Sequence, residues 1–221
     1  MRTEKALIAG FEPFGPYSKN VAAEIVDALD GEIIHIQDGV AIEIVGIKLP
    51  INFQRFRQTL KAALEDHNPQ LAIGLGMDFK DSTNLAFETQ AHTVPNYGTG
   101  IKDQEGNVGP NLPLDENPDT LEIPHLEKIR DRIQSIDGIE LSTEAGRHMC
   151  ESILRDLIRR SQNAQKFQPA FIHLPHTPEL LAESQELETH EESRPLLEQV
   201  AIVKKTIEVL ARHRILLTNQ S

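Results

Sequence analysis

Two side chains of this 221-residue chain are of the right type, and in the right setting, for nucleophilic chemistry. Cys150, the sole cysteine, stands in STEAGRHMCESILRDLI, and His173 follows twenty-three residues later in PAFIHLPHTPE. With one cysteine no intrachain disulfide can form, so the thiol is either a packed core group or a reagent. Its setting favours the reagent. Cys150 falls just after Gly146, near the start of an amphipathic run that reads as a helix, where the positive end of a helix dipole favours a thiolate. His173 ends the short apolar run FIHL, which reads as a buried strand and a rigid mount for a general base. The bland alternative for each is ordinary packing: a buried thiol, and a core histidine satisfied by hydrogen bonds.

The elements that must position these groups alternate along the chain. KALIAG reads as a strand, and NVAAEIVDALD as a helix with Asn20 as its N-cap. EIIHIQ and VAIEIVGIKLP read as strands. NFQRFRQTLKAALEDHN reads as a helix capped by Asn52, with Phe53, Phe56, Leu60, Ala63 and Leu64 on one face. QLAIGLG, TNLAFETQAH, GIELS and PAFIHL read as further strands. LEKIRDRIQSID, HMCESILRDLIRRSQ and RPLLEQVAIVKKTIEVLARH read as helices. Such alternation predicts a single three-layer α/β/α domain over residues 1–221, with helices on both faces of a twisted, mostly parallel (mixed) sheet. In folds of this kind, active residues gather where strands end and helices begin. Residues 94 to 120 hold most of the turn chemistry and read as a long, functional loop. Neither a linker nor an internal repeat interrupts the pattern.

Composition excludes several function classes. The formal net charge of −12 and only 22 Lys and Arg argue against nucleic-acid binding, which needs clustered cations on phosphates. Much of the acidity collects in LLAESQELETHEESRPLLEQ, which reads as a solvated face or loop, or as a surface for self-association. No apolar run approaches the roughly 20 residues that span a bilayer, and the run after MRTEK is too short for a signal-peptide core. A cytoplasmic protein is the expectation. GLGMDFKD lacks the third glycine of a dinucleotide fingerprint and the Lys-Ser/Thr of a P-loop. His173 and His176 are three apart, but prolines break the helix that would align them, so neither a metal nor another cofactor is expected.

Four blocks, in order, carry a more specific signal: AGFEPFG with Asn20 after it, LAFETQA with DQEGN downstream, STEAGRHMC, and FIHLPHTPE. Together they resemble the pyroglutamyl-peptidase I family, cysteine peptidases that remove an N-terminal pyroglutamate from peptides. The resemblance runs from the first strand to His173 and more weakly to the C-terminus. It implies a Glu–Cys–His catalytic set, which maps onto Glu88, Cys150 and His173, with Ala91 matching the family's alanine after the acid. It also implies that Phe11 and Phe14 flank the flat lactam ring, and that the protein forms homo-oligomers, dimer or tetramer. Two aromatics on a glycine-flanked turn suit a neutral lactam.

The departures fall around the pocket. Met77 follows Gly76 where the family carries a glutamine, and a thioether cannot replace an amide's hydrogen bonds. Thr89 stands where an arginine follows the catalytic acid, and Gly100-Ile101-Lys102 replaces Arg-Ile-Pro. His148 and Met149 precede the nucleophile in place of aromatic or aliphatic residues. Met77, His148 and Met149 are therefore expected in the substrate pocket. The expected substrate is an N-terminally blocked peptide or a small cyclic amide. A binding protein without peptidase activity, or an amidohydrolase on the same fold, is the alternative expectation.

Overall fold

The structure, a computed structural model, describes residues 2–15, 17–36, 39–77, 82–92, 102–107, 119–146, 149–163, 167–184 and 192–218. In chain order its elements are β1 (Arg2–Phe11), α1 (Val21–Leu29), β2 (Ile33–His35), β3 (Val40–Leu49), α2 (Arg55–His67), β4 (Leu71–Met77), β5 (Leu85–Glu88) and β6 (Gln90–Ala91). Then follow β7 (Leu121–Glu122), α3 (Leu126–Gln134), β8 (Ile139–Ser142), α4 (Met149–Asn163), β9 (Gln168–Leu174), α5 (Pro178–Ser184) and α6 (Leu196–Thr218). Seven strands form one sheet in the order β2-β3-β1-β4-β9-β5-β8, and β6 pairs with β7 apart from it.

The central strands read as continuous apolar runs because helices cover both of their faces. β4 (LAIGLGM) and β9 (QPAFIHL) are buried at every position. β3, β1, β4 and β9 run parallel. β5 reverses against β9, and β8 runs parallel to β5. The sheet is therefore mixed but mostly parallel, with β2 a short antiparallel edge.

Glycines set how closely the layers approach. A Cβ on Gly10 would come within 2.6 Å of the Ala22 carbonyl, so β1 and α1 pack backbone to backbone. Gly74 lies on the opposite face, because its neighbour Leu75 is the register partner of Gly10, and it looks at Phe171 and Ile153 of α4. α1, α3 and α6 thus cover one face. α2 and α4 cover the other, where Phe11 meets Phe56 edge to face at 5.9 Å.

Local caps hold the elements that matter below. Asn20 caps α1 as the sequence predicts: its Oδ1 accepts the Ala22 N–H at 3.0 Å. Its amide also donates to the Glu12 carbonyl at 3.1 Å, closing the loop that carries Phe11 and Phe14. Asn52 acts differently from expectation. Its Oδ1 accepts from Gln54 and Arg55 in a turn, and α2 begins only at Arg55, so Phe53 lies outside the helix. The acidic stretch read as a solvated face or loop begins as the short α5, which buries Leu180 and Leu181; residues 185–191 lie outside the described ones. Among the described residues, no helix is long and apolar enough to cross a membrane.

Candidate active site

Sheet register brings the predicted groups together. His173 pairs with Gly76 of β4 on one side and with Ala86 of β5 on the other. Side chains alternate along a strand, so Glu88, two residues past Ala86, shares the face of His173. That is the face α4 covers, and Cys150 is its second residue. Three segments remote in sequence therefore converge at the C-terminal ends of the parallel strands, where sites form in such sheets.

The contacts are close. His173 Nδ1 and Glu88 Oε1 are 2.7 Å apart, with His173 buried and Glu88 inaccessible to solvent. Thr89, next in chain, is fixed by its N–H and hydroxyl, both donating to the Ser142 carbonyl at 2.8 Å. That leaves Nε2 of His173 for the thiol side. Burial alone would push the imidazole's pKa down, but hydrogen bonds to Cys150 and to Glu88 outweigh it and raise it to about 10. The Phe171 ring meets the imidazole edge to face at 5.0 Å and braces it from behind.

Gly76 is the seat of the thiol. A Cβ there would lie 2.8 Å from Cys150 Sγ, 3.0 Å from Phe171 Cζ and 3.2 Å from His173 Cδ2. A hydrogen is all the thiol and imidazole tolerate between them and the strand. Gly76→Ala is expected to lower kcat/KM about 100-fold, because an ångström of misplacement costs about that much. Overpacking should also lower Tm by several degrees. Kinetics and thermal melts on the purified variant check both. A variant with unaltered turnover would show that the thiol does not need this seat.

Cys150 and His173 open onto a cavity of about 710 Å³. Of the residues expected there, Phe11, Phe14, Met77 and Met149 line it, while His148 lies outside the described residues. Phe11 sits at the end of β1, and Phe14 meets Tyr17 edge to face at 6.0 Å. Lys102, one of the departures expected around the pocket, lines the cavity too, and the wall also includes Ile51, Phe53, Asp103 and Gln104, which the sequence did not single out as pocket residues. Its organiser is Asp103, whose carboxylate accepts N–H groups of Asn107 (2.8 Å), Glu105 (2.9 Å) and Phe53 (3.4 Å). Burial works to raise its pKa, but these bonds and one from the Asn107 amide outweigh that and lower it. Gln104 ties the walls together, its backbone N–H donating to Ile51 at 3.0 Å and its amide to Pro13 at 2.7 Å. The sequence signals for this wall were the DQEGN block and the long loop over residues 94 to 120.

His92, four residues past Glu88, is engaged away from the thiol. Its Nε2 lies 2.9 Å from the Thr143 carbonyl and 3.1 Å from the Glu144 carboxylate. Among the described residues, no group of three or more His, Cys, Asp or Glu side chains could hold a metal. A thiol beside an imidazole that is itself backed by a carboxylate, opening onto an apolar cavity, can form and release an acyl thioester.

Comparison with known proteins points the same way. Residues 4–213 match the sequence profile of the pyroglutamyl peptidases. The pyrrolidone-carboxylate peptidase of Brachyspira hyodysenteriae is 30% identical over 184 residues, covering 79% of this chain and 85% of that protein. That of Klebsiella pneumoniae is 31% identical over 180 residues, covering 78% of each. The crystal structure of the pyrrolidone carboxyl peptidase from the hyperthermophile Pyrococcus furiosus superposes with a TM-score of 0.81 at 25% identity, covering 95% of this chain and 99% of that one.

Proposed function

We propose, because this chain belongs to the pyroglutamyl peptidase family, that it is a cysteine exopeptidase releasing an N-terminal pyroglutamyl group from peptides. The observation that carries this reading is the 2.7 Å pairing of His173 with Glu88, with Cys150 seated against Gly76 beside it. In the reading, Cys150 Sγ attacks the pyroglutamyl carbonyl carbon while His173 holds the thiol proton. The tetrahedral oxyanion is met by backbone N–H groups at the start of α4. His173 then passes the proton to the departing amine as the C–N bond breaks, leaving a pyroglutamyl thioester. Water, its proton taken by His173, hydrolyses the thioester and frees pyroglutamate and the thiol. Glu88 orients the imidazole and stabilises its charged form throughout.

Phe11, Phe14 and Phe53 supply flat apolar surface for a neutral lactam, and the C-terminal remainder of the peptide leaves toward the cavity mouth. Met77 lines the cavity where the family's amide would stand, and it favours a second reading, a lactam-binding protein without turnover. One assay separates them. Purified protein is mixed with pyroglutamyl, prolyl and glutamyl coumarin amides. The peptidase reading expects fluorescence from the pyroglutamyl substrate alone, lost after iodoacetamide at neutral pH. Calorimetric binding of pyroglutamate with no release of coumarin would overturn it in favour of the second.

A further inference from the structure

A second buried carboxyl lies behind the site, and the proposed chemistry leaves it unused. Glu151, next in chain to Cys150, is inaccessible to solvent. Its Oε1 accepts the backbone N–H of His92, four residues after Glu88. Its Oε2 is buried with no hydrogen-bond partner among the described residues, and the same holds for Oε2 of Glu88. Two buried carboxyl groups, joined through the short segment from Glu88 to His92, thus each have an oxygen left over. Two carboxylates so placed resist joint ionisation, and a protonated carboxyl is the form that can donate a hydrogen bond.

We infer that Glu151 is a positioning residue for the Cys150–His173–Glu88 set: it clamps the segment after Glu88 to the nucleophile's helix, and it holds a proton so that Glu88 alone of the two carries the charge facing His173. The inference rests on the peptidase reading above for its kinetic consequence only. The charged and titratable surroundings act in both directions, with burial the largest influence. Burial first, and then the charges of Glu144 (before α4) and Glu88 (β5), raise the pKa of Glu151 to about 7 against the opposing hydrogen bond and charge of His92. Arg155, one turn along α4 on the same face, donates to the carbonyls of His92 (3.2 Å) and Asp119 (2.9 Å), holding the same segment beside Glu151. His173 on β9 meets Glu88 directly.

The sign follows from the charges. Once Glu151 ionises, a second negative charge near Glu88 binds the proton of His173 more tightly, so the imidazolium becomes a poorer acid toward the departing amine. Wild-type kcat, not KM, should fall about 3- to 10-fold between pH 6 and 8.5, with its inflection near the Glu151 ionisation. Glu151→Gln keeps an acceptor for His92 and cannot ionise. Its kcat relative to wild type should therefore rise by the same factor across that interval, and superimposable pH profiles overturn the inference. Infrared spectroscopy of the unaltered protein supplies a measurement independent of the variant's folding. A protonated-carboxyl band present at pH 6 and gone by pH 8.5 is expected, and absence of that band at pH 6 overturns the inference too. A wild-type protein that cleaves no pyroglutamyl substrate would instead sink the peptidase reading, leaving the infrared test of Glu151 intact.

Discussion

Cys150→Ala is expected to lower kcat/KM for a pyroglutamyl arylamide at least about 10,000-fold, a loss of about 5.5 kcal/mol of transition-state stabilisation. Among the described residues that line the cavity, no other side chain is placed to carry the acyl group: besides His173 they offer aromatic rings, methionines, two amides, a lysine and an anchored carboxylate. Removal of the nucleophile deletes the covalent route entirely, and residual turnover would come from binding and oxyanion contacts alone. Stability should change little, since alanine fits the space of a side chain that is only partly buried. The matched measurement is thermal melting beside steady-state kinetics, with tight binding of pyroglutamate retained. Appreciable turnover by the alanine variant would show that the sulfur is packing material.

Glu88→Gln should cost about 1,000-fold or more in kcat with a small change in KM, because it acts through the imidazole and not on the substrate. The amide preserves shape but carries no charge, and it can turn its N–H toward Nδ1, displacing the ring proton to the wrong nitrogen. A stability signature accompanies the kinetic one. His173 has its folded-state pKa raised from 6.5 to about 10, burial notwithstanding, by hydrogen bonds to Cys150 and Glu88. Stability from the charged ring is therefore complete below about pH 6.5 and lost as pH climbs through about 10. The Tm gap between wild type and Glu88→Gln should be widest near pH 6 to 7 and close toward pH 10.5. A gap independent of pH would mean that the carboxylate does not hold the imidazole's charge.

Residue type and local pattern carried much of this architecture. Cys150 at a helix start and His173 on an apolar strand were visible directly, because each depends only on its immediate neighbours. The direction of β5 was not: strand–helix alternation suggests parallel neighbours, and nothing in LAFE says which way the strand runs. Glu88 lies 85 residues from its partner, so its pairing became legible only through a family resemblance. Phe53 was placed on the α2 face by its spacing from Phe56, but the turn fixed by Asn52 moves it out of the helix and into the cavity wall. Nothing in the sequence marks Glu151, since period alone cannot reveal what another segment covers. Asp103 and Gln104 sit in loop structure whose shape comes from individual hydrogen bonds, not from any repeat.

The reversed strand β5 has a consequence for how relatives of this chain can diverge. The acid sits one step beyond the two-residue ladder of β5 on β9, and slipping that ladder by a single step would turn the carboxylate to the far side of the sheet and bring Phe87 round in its place. An insertion or deletion inside LAFE would therefore part the acid from His173 while leaving the outline of the fold intact. Length variation among descendants should spare this strand.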